Sequence, residues 1–373
     1  MNQQRRHGVD LVLYTAVLLL ITIGVVAVYS ASVFIADLRY SGEHTHYFYR
    51  QLFFAAVALV AMLIFAGLDY RIMRKMIWFA VGVSILLLIV VFSMSKINDA
   101  RRWIDLGFVS LQPSEVFKFV MIYLAAHFLA PDHQSNRPKW YPYVTFGLIA
   151  VALMLIVLEP DLGTALVLAA VLVTMLFVAG MSWKWIGLGA ASLATVFYVA
   201  VFQLGYKQAR IMDFLAAIKD PLQGSFQVKQ SALYIGSGGF FGKGIGRGAV
   251  KLFFLPEVHT DFIFANVAEE GGFIWVMLVV ALFLIVFWRG MRIAATAPDR
   301  FGFYLAFGIT IILTASALVN IAVTVGLIPT KGMPLPFVSY GGSSLLLCAS
   351  AVGVLLNVSR RRNNKGQVLG RLD

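Results

Sequence analysis

Two carboxylates, an imidazole and a hydroxyl crowd the stretch Leu255-Pro256-Glu257-Val258-His259-Thr260-Asp261-Phe262, where a polar segment gives way to an apolar run beginning near residue 265. A carboxylate at such a boundary can accept a proton from an attacking hydroxyl or share a divalent cation with other oxygens. Thr260 or Asp261 is equally suited to cap the helix that follows, and the two roles are compatible. Glu115 and Lys118 stand three residues apart, on one face of a helix, where they can pair inside an apolar layer. Ions placed there usually face a partner or a cavity, because burying them alone is costly. Arg101-Arg102-Trp103 precedes Gln112-Pro113-Ser114-Glu115, and adjacent guanidinium groups offer forked donors for phosphate oxygens. Glu159-Pro160-Asp161-Leu162-Gly163-Thr164 reads first as a tight turn. Asp161 is nevertheless a second candidate for positioning an acceptor or holding a metal.

Two further segments carry polar groups. The run Gly236-Ser237-Gly238-Gly239-Phe240-Phe241-Gly242-Lys243-Gly244-Ile245-Gly246-Arg247-Gly248 fails as a phosphate-binding P-loop, because Gly244 follows Lys243 where Ser or Thr is required. Close backbone turns there could still offer N–H groups to an anionic headgroup. Lys331-Gly332-Met333-Pro334-Leu335-Pro336-Phe337-Val338-Ser339-Tyr340-Gly341-Gly342-Ser343-Ser344 is stiffened by prolines and then made compact by glycines. Glu269 and Glu270 lie two turns inside the apolar run after Asp261 and need buried partners or an aqueous pocket.

The elements that position these groups are membrane helices. Of 373 residues, 60% are hydrophobic and 13% charged, the mean hydropathy is +0.84, and the formal charge is +12. That balance excludes a water-soluble globule and a nucleic-acid-binding protein. Apolar runs near 11–29, 51–68, 76–94, 114–130, 142–158, 163–180, 184–203, 265–288, 303–327 and 342–358 predict an all-α protein with ten membrane-spanning helices. The first run is too long for a signal-peptide core and is expected to be the first span. Cys348 lies in an apolar run and has no cysteine to pair with. One domain, 1–373, is expected, with an extracytoplasmic loop at about 204–264 and a cytoplasmic tail at about 359–373. Apolar patches in that loop, Phe226 to Ile235 and Leu252 to Phe254, suit a segment that dips back toward the bilayer.

Lys and Arg set the orientation. Arg5, Arg6, Arg71, Arg74, Lys75, Arg137, Lys139, Lys184, Arg289, Arg292, Arg300, Arg360, Arg361, Arg362, Lys365 and Arg371 fall on one side of this layout. Only Arg39, Arg50, Lys96, Arg101, Arg102 and Lys331 occupy the short loops opposite, so both termini are expected in the cytoplasm. Nearly every chemically promising residue then faces outward.

These outward motifs resemble the SEDS family of shape, elongation, division and sporulation proteins, which includes RodA, FtsW and SpoVE. The resemblance spans nearly the whole chain. It is carried by Tyr29-Ser30-Ala31-Ser32, Arg102-Trp103-Ile104, Gln112-Pro113-Ser114-Glu115 with Lys118, Pro160-Asp161-Leu162-Gly163-Thr164, Gln230-Ser231 with Gly236-Ser237-Gly238-Gly239, Leu255-Pro256-Glu257 with His259-Thr260-Asp261-Phe262-Ile263-Phe264, and Pro336 with Ser339-Tyr340-Gly341-Gly342-Ser343-Ser344. Lys331-Gly332, Ser343-Ser344 and Gly353-Val354-Leu355-Leu356-Asn357 are closer to its division and sporulation branch. Glu269-Glu270-Gly271-Gly272 departs from a usual Glu-Glu-Leu-Gly but keeps the acids.

The resemblance implies a peptidoglycan glycosyltransferase of the bacterial cytoplasmic membrane. It would polymerise lipid II on the outer leaflet with a class B penicillin-binding protein and other division or elongation machinery, and Asp261 would be its essential carboxylate. The chemistry agrees with the residues. Pyrophosphate leaves readily, so one base and nearby positive charge suffice, whereas a glycosidase also needs a protonated acid. Asp261 is expected as general base. Glu115 and Lys118 should line its cavity, and Arg101, Arg102, Lys243 or a divalent cation such as Mg2+ or Mn2+ should offset the pyrophosphate. Trp103, Gln112, Glu257, His259, Thr260, Lys331 and Ser339 complete the expected lining. A lipid II flippase would use the intramembrane ions as a polar track, but the sequence holds no repeated broken-helix pair of the kind transporters use. A non-catalytic scaffold for the transpeptidase would not need Asp261.

Overall fold

The computed structural model describes residues 8–39, 45–95, 101–107, 109–130, 138, 140–198, 202, 208–219, 225–248 and 259–361. In chain order the elements are α1 (Leu11–Arg39), α2 (His46–Gly67), α3 (Tyr70–Lys75), α4 (Ile77–Val90), β1 (Ile104–Asp105), β2 (Ser110–Leu111), α5 (Pro113–Leu129), α6 (Tyr141–Leu158), α7 (Leu162–Val178), α8 (Trp183–Tyr198), α9 (Gln208–Lys219), α10 (Phe226–Ser237), α11 (Ile263–Ala295), α12 (Arg300–Thr324) and α13 (Gly342–Arg360). Each apolar run of the sequence holds a helix. Among the described residues, six helices are long and apolar enough to cross a bilayer: Leu11–Val33 of α1, then α2, α6, α11, α12 and α13.

Five elements lie outside the apolar runs: the short α3, β1, β2, α9 and α10. β1 and β2 pair antiparallel, with Ile104 opposite Leu111, around a turn in which Asp105 Oδ1 accepts the Gly107 N–H at 2.9 Å. Helices α9 and α10 occupy what the sequence suggested was loop. The apolar patch Phe226 to Ile235 forms α10 and docks on α11 and α12, where Ser231 Oγ donates to Thr324 O at 2.6 Å.

Inside lipid, apolar burial hardly favours one helix contact over another, so tight packing and polar ties decide the arrangement. The principal pairs are α2 with α13, α11 with α12 and α1 with α11. Polar ties close one end of the bundle. Arg289 on α11 pairs with Asp10 at 2.5 Å, and the Asp10 N–H donates to Ser359 Oγ at the end of α13. Asn357 donates to Ala66 O at 2.9 Å and accepts the Tyr70 N–H at 3.3 Å. Asp299 receives Tyr70 Oη at 2.7 Å and Arg71 at 2.8 Å.

The opposite end is built differently. The segment between α12 and α13 turns inward and rests on α1 at Gly24, where a Cβ atom would lie 2.6 Å from Phe337 O and 2.7 Å from Val338 Cα. Gly24 is about 20 Å along α1 from Leu11 at 1.5 Å per residue. Leu335, Phe337 and Val338 are buried there, and Phe337 adopts φ 67°. Helix α11 bends at Gly272, which takes φ 67°.

Candidate active site

The charged groups that the sequence scatters over 200 positions converge at this second end. Pro113 opens α5 at its first turn, where its missing N–H costs nothing, and so brings Glu115 and Lys118 inward one turn later. Lys118 Nζ lies 2.7 Å from Glu115 Oε2, with both side chains 3% exposed. Ser344, in the first turn of α13, donates its hydroxyl to the same oxygen at 2.9 Å.

Asp161 is the N-cap of α7, accepting the Thr164 N–H at 3.2 Å through Oδ1. Turn chemistry therefore does explain its position, yet it is also buried, and Gln112 Nε2 approaches its other oxygen at 3.5 Å. Lys331 crosses from the inward-turned segment and donates Nζ to Gly163 O on the same helix. Burial pulls the Lys331 ammonium down to about 8; Asp161 and Glu115 oppose that shift and Lys118 adds to it. Glu115, Lys118, Asp161 and Lys331 thus form one electrostatic cluster of two acids and two bases.

Asp261 adjoins this cluster through the next residue of the segment. A Cβ at Gly332 would lie 3.0 Å from Asp261 Oδ2. Two hydrogen bonds fasten the turn before α11 to the segment, Tyr340 N–H to His259 O at 2.9 Å and Ser339 Oγ to Thr260 O at 2.6 Å, and within the segment Leu335 N–H donates to Ser339 Oγ at 2.8 Å. The His259 ring packs against Tyr47 and Tyr340 with centroids 5.4 and 5.7 Å away. Neither Thr260 nor Asp261 caps α11. Its N-cap is Phe262, with no side-chain cap bond.

Other expected residues are placed elsewhere or differently. The guanidinium groups of Arg101 and Arg102 do not act as one fork. Arg101 donates to Phe92 O at 2.6 Å, while Arg102 clasps the carbonyls of Glu159 and Pro160 in the α6–α7 turn. Trp103 lies beside them, partly exposed, just before β1. Lys243 pairs with Glu269 at 2.6 Å, and several N–H groups of its glycine run bond to backbone carbonyls. Glu257 lies outside the described residues. Among the described residues no three His, Cys, Asp or Glu side chains come together as a metal-ion site. Magnesium is commonly held by one or two carboxylates plus substrate phosphates.

Sequence reasoning missed Asn320 and Ser344 as partners of the site, and Glu159 as an isolated acid. Asn320 sits in the middle of an apolar run, and an intramembrane amide is a signal that the expense of burying polar groups makes readable. Glu159 is fully buried with neither carboxyl oxygen hydrogen-bonded. Burial pushes its carboxyl up to about 8, Asp161 adds to the rise and Arg102 opposes it.

A bundle of apolar helices with a buried, charge-paired cluster at one end defines a multi-pass membrane protein. The sequence profile of the FtsW/RodA/SpoVE family, described as "Cell cycle protein", matches residues 10–364. The chain belongs to this family. It is 42% identical over 359 residues to a protein of Trichlorobacter lovleyi named "Probable peptidoglycan glycosyltransferase FtsW", covering 94% of this chain and 93% of that one. It is 40% identical over 363 residues to "Stage V sporulation protein E" of Bacillus subtilis, covering 95% and 98%. These similarities set it in the FtsW/SpoVE branch. Its fold matches a chain of the structure described as "Structural coordination of polymerization and crosslinking by a peptidoglycan synthase complex", with TM-score 0.75, 26% identity and coverage of 96% and 99%. The Thermus thermophilus rod shape determining protein RodA matches with TM-score 0.69 and 26% identity, covering 96% and 98%.

Proposed function

We propose that the protein is a peptidoglycan glycosyltransferase that polymerises lipid II at the outer face of the bacterial cytoplasmic membrane, acting with a class B penicillin-binding protein. Ten helices, α1, α2, α4 to α8 and α11 to α13, cross the bilayer, and both termini are cytoplasmic. The excess of Lys and Arg at the end carrying Arg71, Arg289 and Arg360 supports this orientation. Division machinery would dock on the same protein, in keeping with the names of its relatives.

The observation that carries this function is the juxtaposition of Asp261 with Gly332, beside a lysine drawn into a buried charge cluster. The reaction joins the C4 hydroxyl of one GlcNAc to C1 of the MurNAc of another lipid II, with inversion. Asp261 takes the hydroxyl proton as the C–O bond forms, and undecaprenyl pyrophosphate departs with the electrons of the broken bond. Lys331 exchanges its bond to Gly163 O for a pyrophosphate oxygen, and Lys118 adds charge from behind. Glu115 and Ser344 hold Lys118 in place. Arg102 serves by holding the α6–α7 turn, and with it Asp161, against Gln112.

The test uses purified protein with its partner transpeptidase in detergent and labelled lipid II. Wild type should give a ladder of glycan strands, and Asp261→Asn should lower the rate by about 10²–10⁴-fold, the span expected for a general base. A flippase would give no ladder at all, since detergent removes the two leaflets. An unchanged ladder in Asp261→Asn would overturn the assignment of the base.

A further inference from the structure

The glycine run has a role that its sequence did not reveal. In an unbroken helix Glu269 O would accept the Phe273 N–H and Glu270 O the Ile274 N–H. Gly272, at φ 67° and ψ −166°, breaks both pairs. The run takes over all four groups. Lys243 N–H donates to Glu269 O and Gly244 N–H to Glu270 O, each at 3.0 Å. Phe273 N–H donates to Gly239 O at 3.0 Å and Ile274 N–H to Phe240 O at 3.4 Å. The run is thus spliced into the gap of α11, satisfying backbone groups that would be costly to leave open in an apolar layer. The approach leaves no room for side chains: a Cβ at Gly242 would collide with Glu270 O, and one at Gly272 with the Gly242 nitrogen.

One ion pair pins the splice. The Glu269 carboxylate is fully buried and receives Lys243 Nζ at 2.6 Å, with Ser237 Oγ at 3.4 Å. The outward piece of α11, Ile263 to Gly271, is cut off by the break from the long inner piece. Its leading turn carries Asp261, about 12 Å from Glu269 by helical rise. We infer that Lys243 and Glu269 are positioning residues: their ion pair holds the glycine run in the gap and thereby fixes the outward piece of α11 on which Asp261 rides. This rests on the reading of Asp261 as general base. Neither residue touches the reacting atoms. Their effect passes through the backbone, where a shift of about 1 Å at the reacting centre can cost about 10²-fold in rate.

The experiment uses the full-length chain with its partner transpeptidase, initial rates against lipid II concentration, and hydrogen–deuterium exchange over 238–248 and 259–275. Lys243→Met should lower kcat about 10- to 100-fold with KM within about twofold, because ground-state binding is untouched. Exchange should rise in both segments. Lys243→Arg should stay near wild type. Glu269→Lys combined with Lys243→Glu should recover about tenfold over either single change, as a true pair does. Wild-type kcat in Lys243→Met overturns the inference, as does a loss matched by a fall in folded protein on thermal unfolding, or a reversed pair no better than its singles. An active Asp261→Asn would remove the base itself, and the exchange data would then still report whether the splice depends on the ion pair.

Discussion

Asn320 reaches into the turn of Asp261 from α12: its Nδ2 donates to Asp261 O at 2.8 Å and to Met333 O at 2.7 Å. A single buried amide therefore fastens the candidate base and the segment bearing Lys331 to one helix. Asn320→Ala would leave two carbonyls without their donor, costing about 1–3 kcal/mol for each that stays dry. Asn320→Asp should be worse, since a carboxylate would face two carbonyl oxygens. Polymerisation should drop at least about tenfold in both variants, following from the misplacement of Asp261. Glycan ladders and thermal unfolding in detergent check this together.

Breaking the Glu115–Lys118 pair from one side should be more harmful than removing it. Lys118→Met leaves a buried carboxylate without its ion-pair partner, hydrogen-bonded by Ser344, at a cost of about 3–5 kcal/mol. Glu115→Gln with Lys118→Met removes both charges and should restore most of the stability. It should not restore polymerisation, because the charge behind the pyrophosphate is gone. Comparing unfolding temperature with activity across wild type and the two variants separates the two roles.

Lys331 should give the reaction an alkaline limit. Its ammonium is held at about 8, chiefly by burial, so it is charged below that pH and increasingly neutral above it. Polymerisation should decline as the pH rises through about 8. Lys331→Arg keeps its charge at every working pH and should lose this limb, whereas Lys331→Met should be slow throughout. A pH–rate profile for the three proteins decides the matter.

Glu159 should make stability, rather than rate, depend on pH. Its folded pKa of about 8 lies above the ordinary 4.5, so between these values the folded chain holds a proton that the unfolded chain releases. Stability from this group is present below about pH 4.5 and is lost as the pH climbs to about 8. Glu159→Gln should abolish that slope and unfold at a higher temperature than wild type at pH 8.5. Thermal scans at four or five pH values measure it.

The helices were legible because each apolar run is long and set off by polar, charged, Gly or Pro residues. The cluster of Glu115, Lys118, Asp161 and Lys331 was legible only in part: each residue stood out as a polar group near an apolar run, but their meeting depends on α5, α7 and the α12–α13 segment packing at one end. Arg101 and Arg102 misled, because adjacency in sequence hides that one guanidinium turns to Phe92, just past α4, and the other to the α6–α7 turn. The glycine run, rejected as a P-loop, still suggested N–H groups open to an anionic headgroup. Its free N–H groups were evident, whereas the broken helix that consumes them lies more than twenty residues further along the chain.

The seat of Phe337 and Val338 on Gly24 has a bearing on leakage. In the proposed orientation, a hydrated ion arriving at Lys331 would meet the buried side chains of Phe337 and Val338, and this apolar seal should keep the proton gradient from being short-circuited. Reconstituted vesicles should hold their pH difference with wild-type protein, and Gly24→Leu, by displacing the seal, should make them permeable.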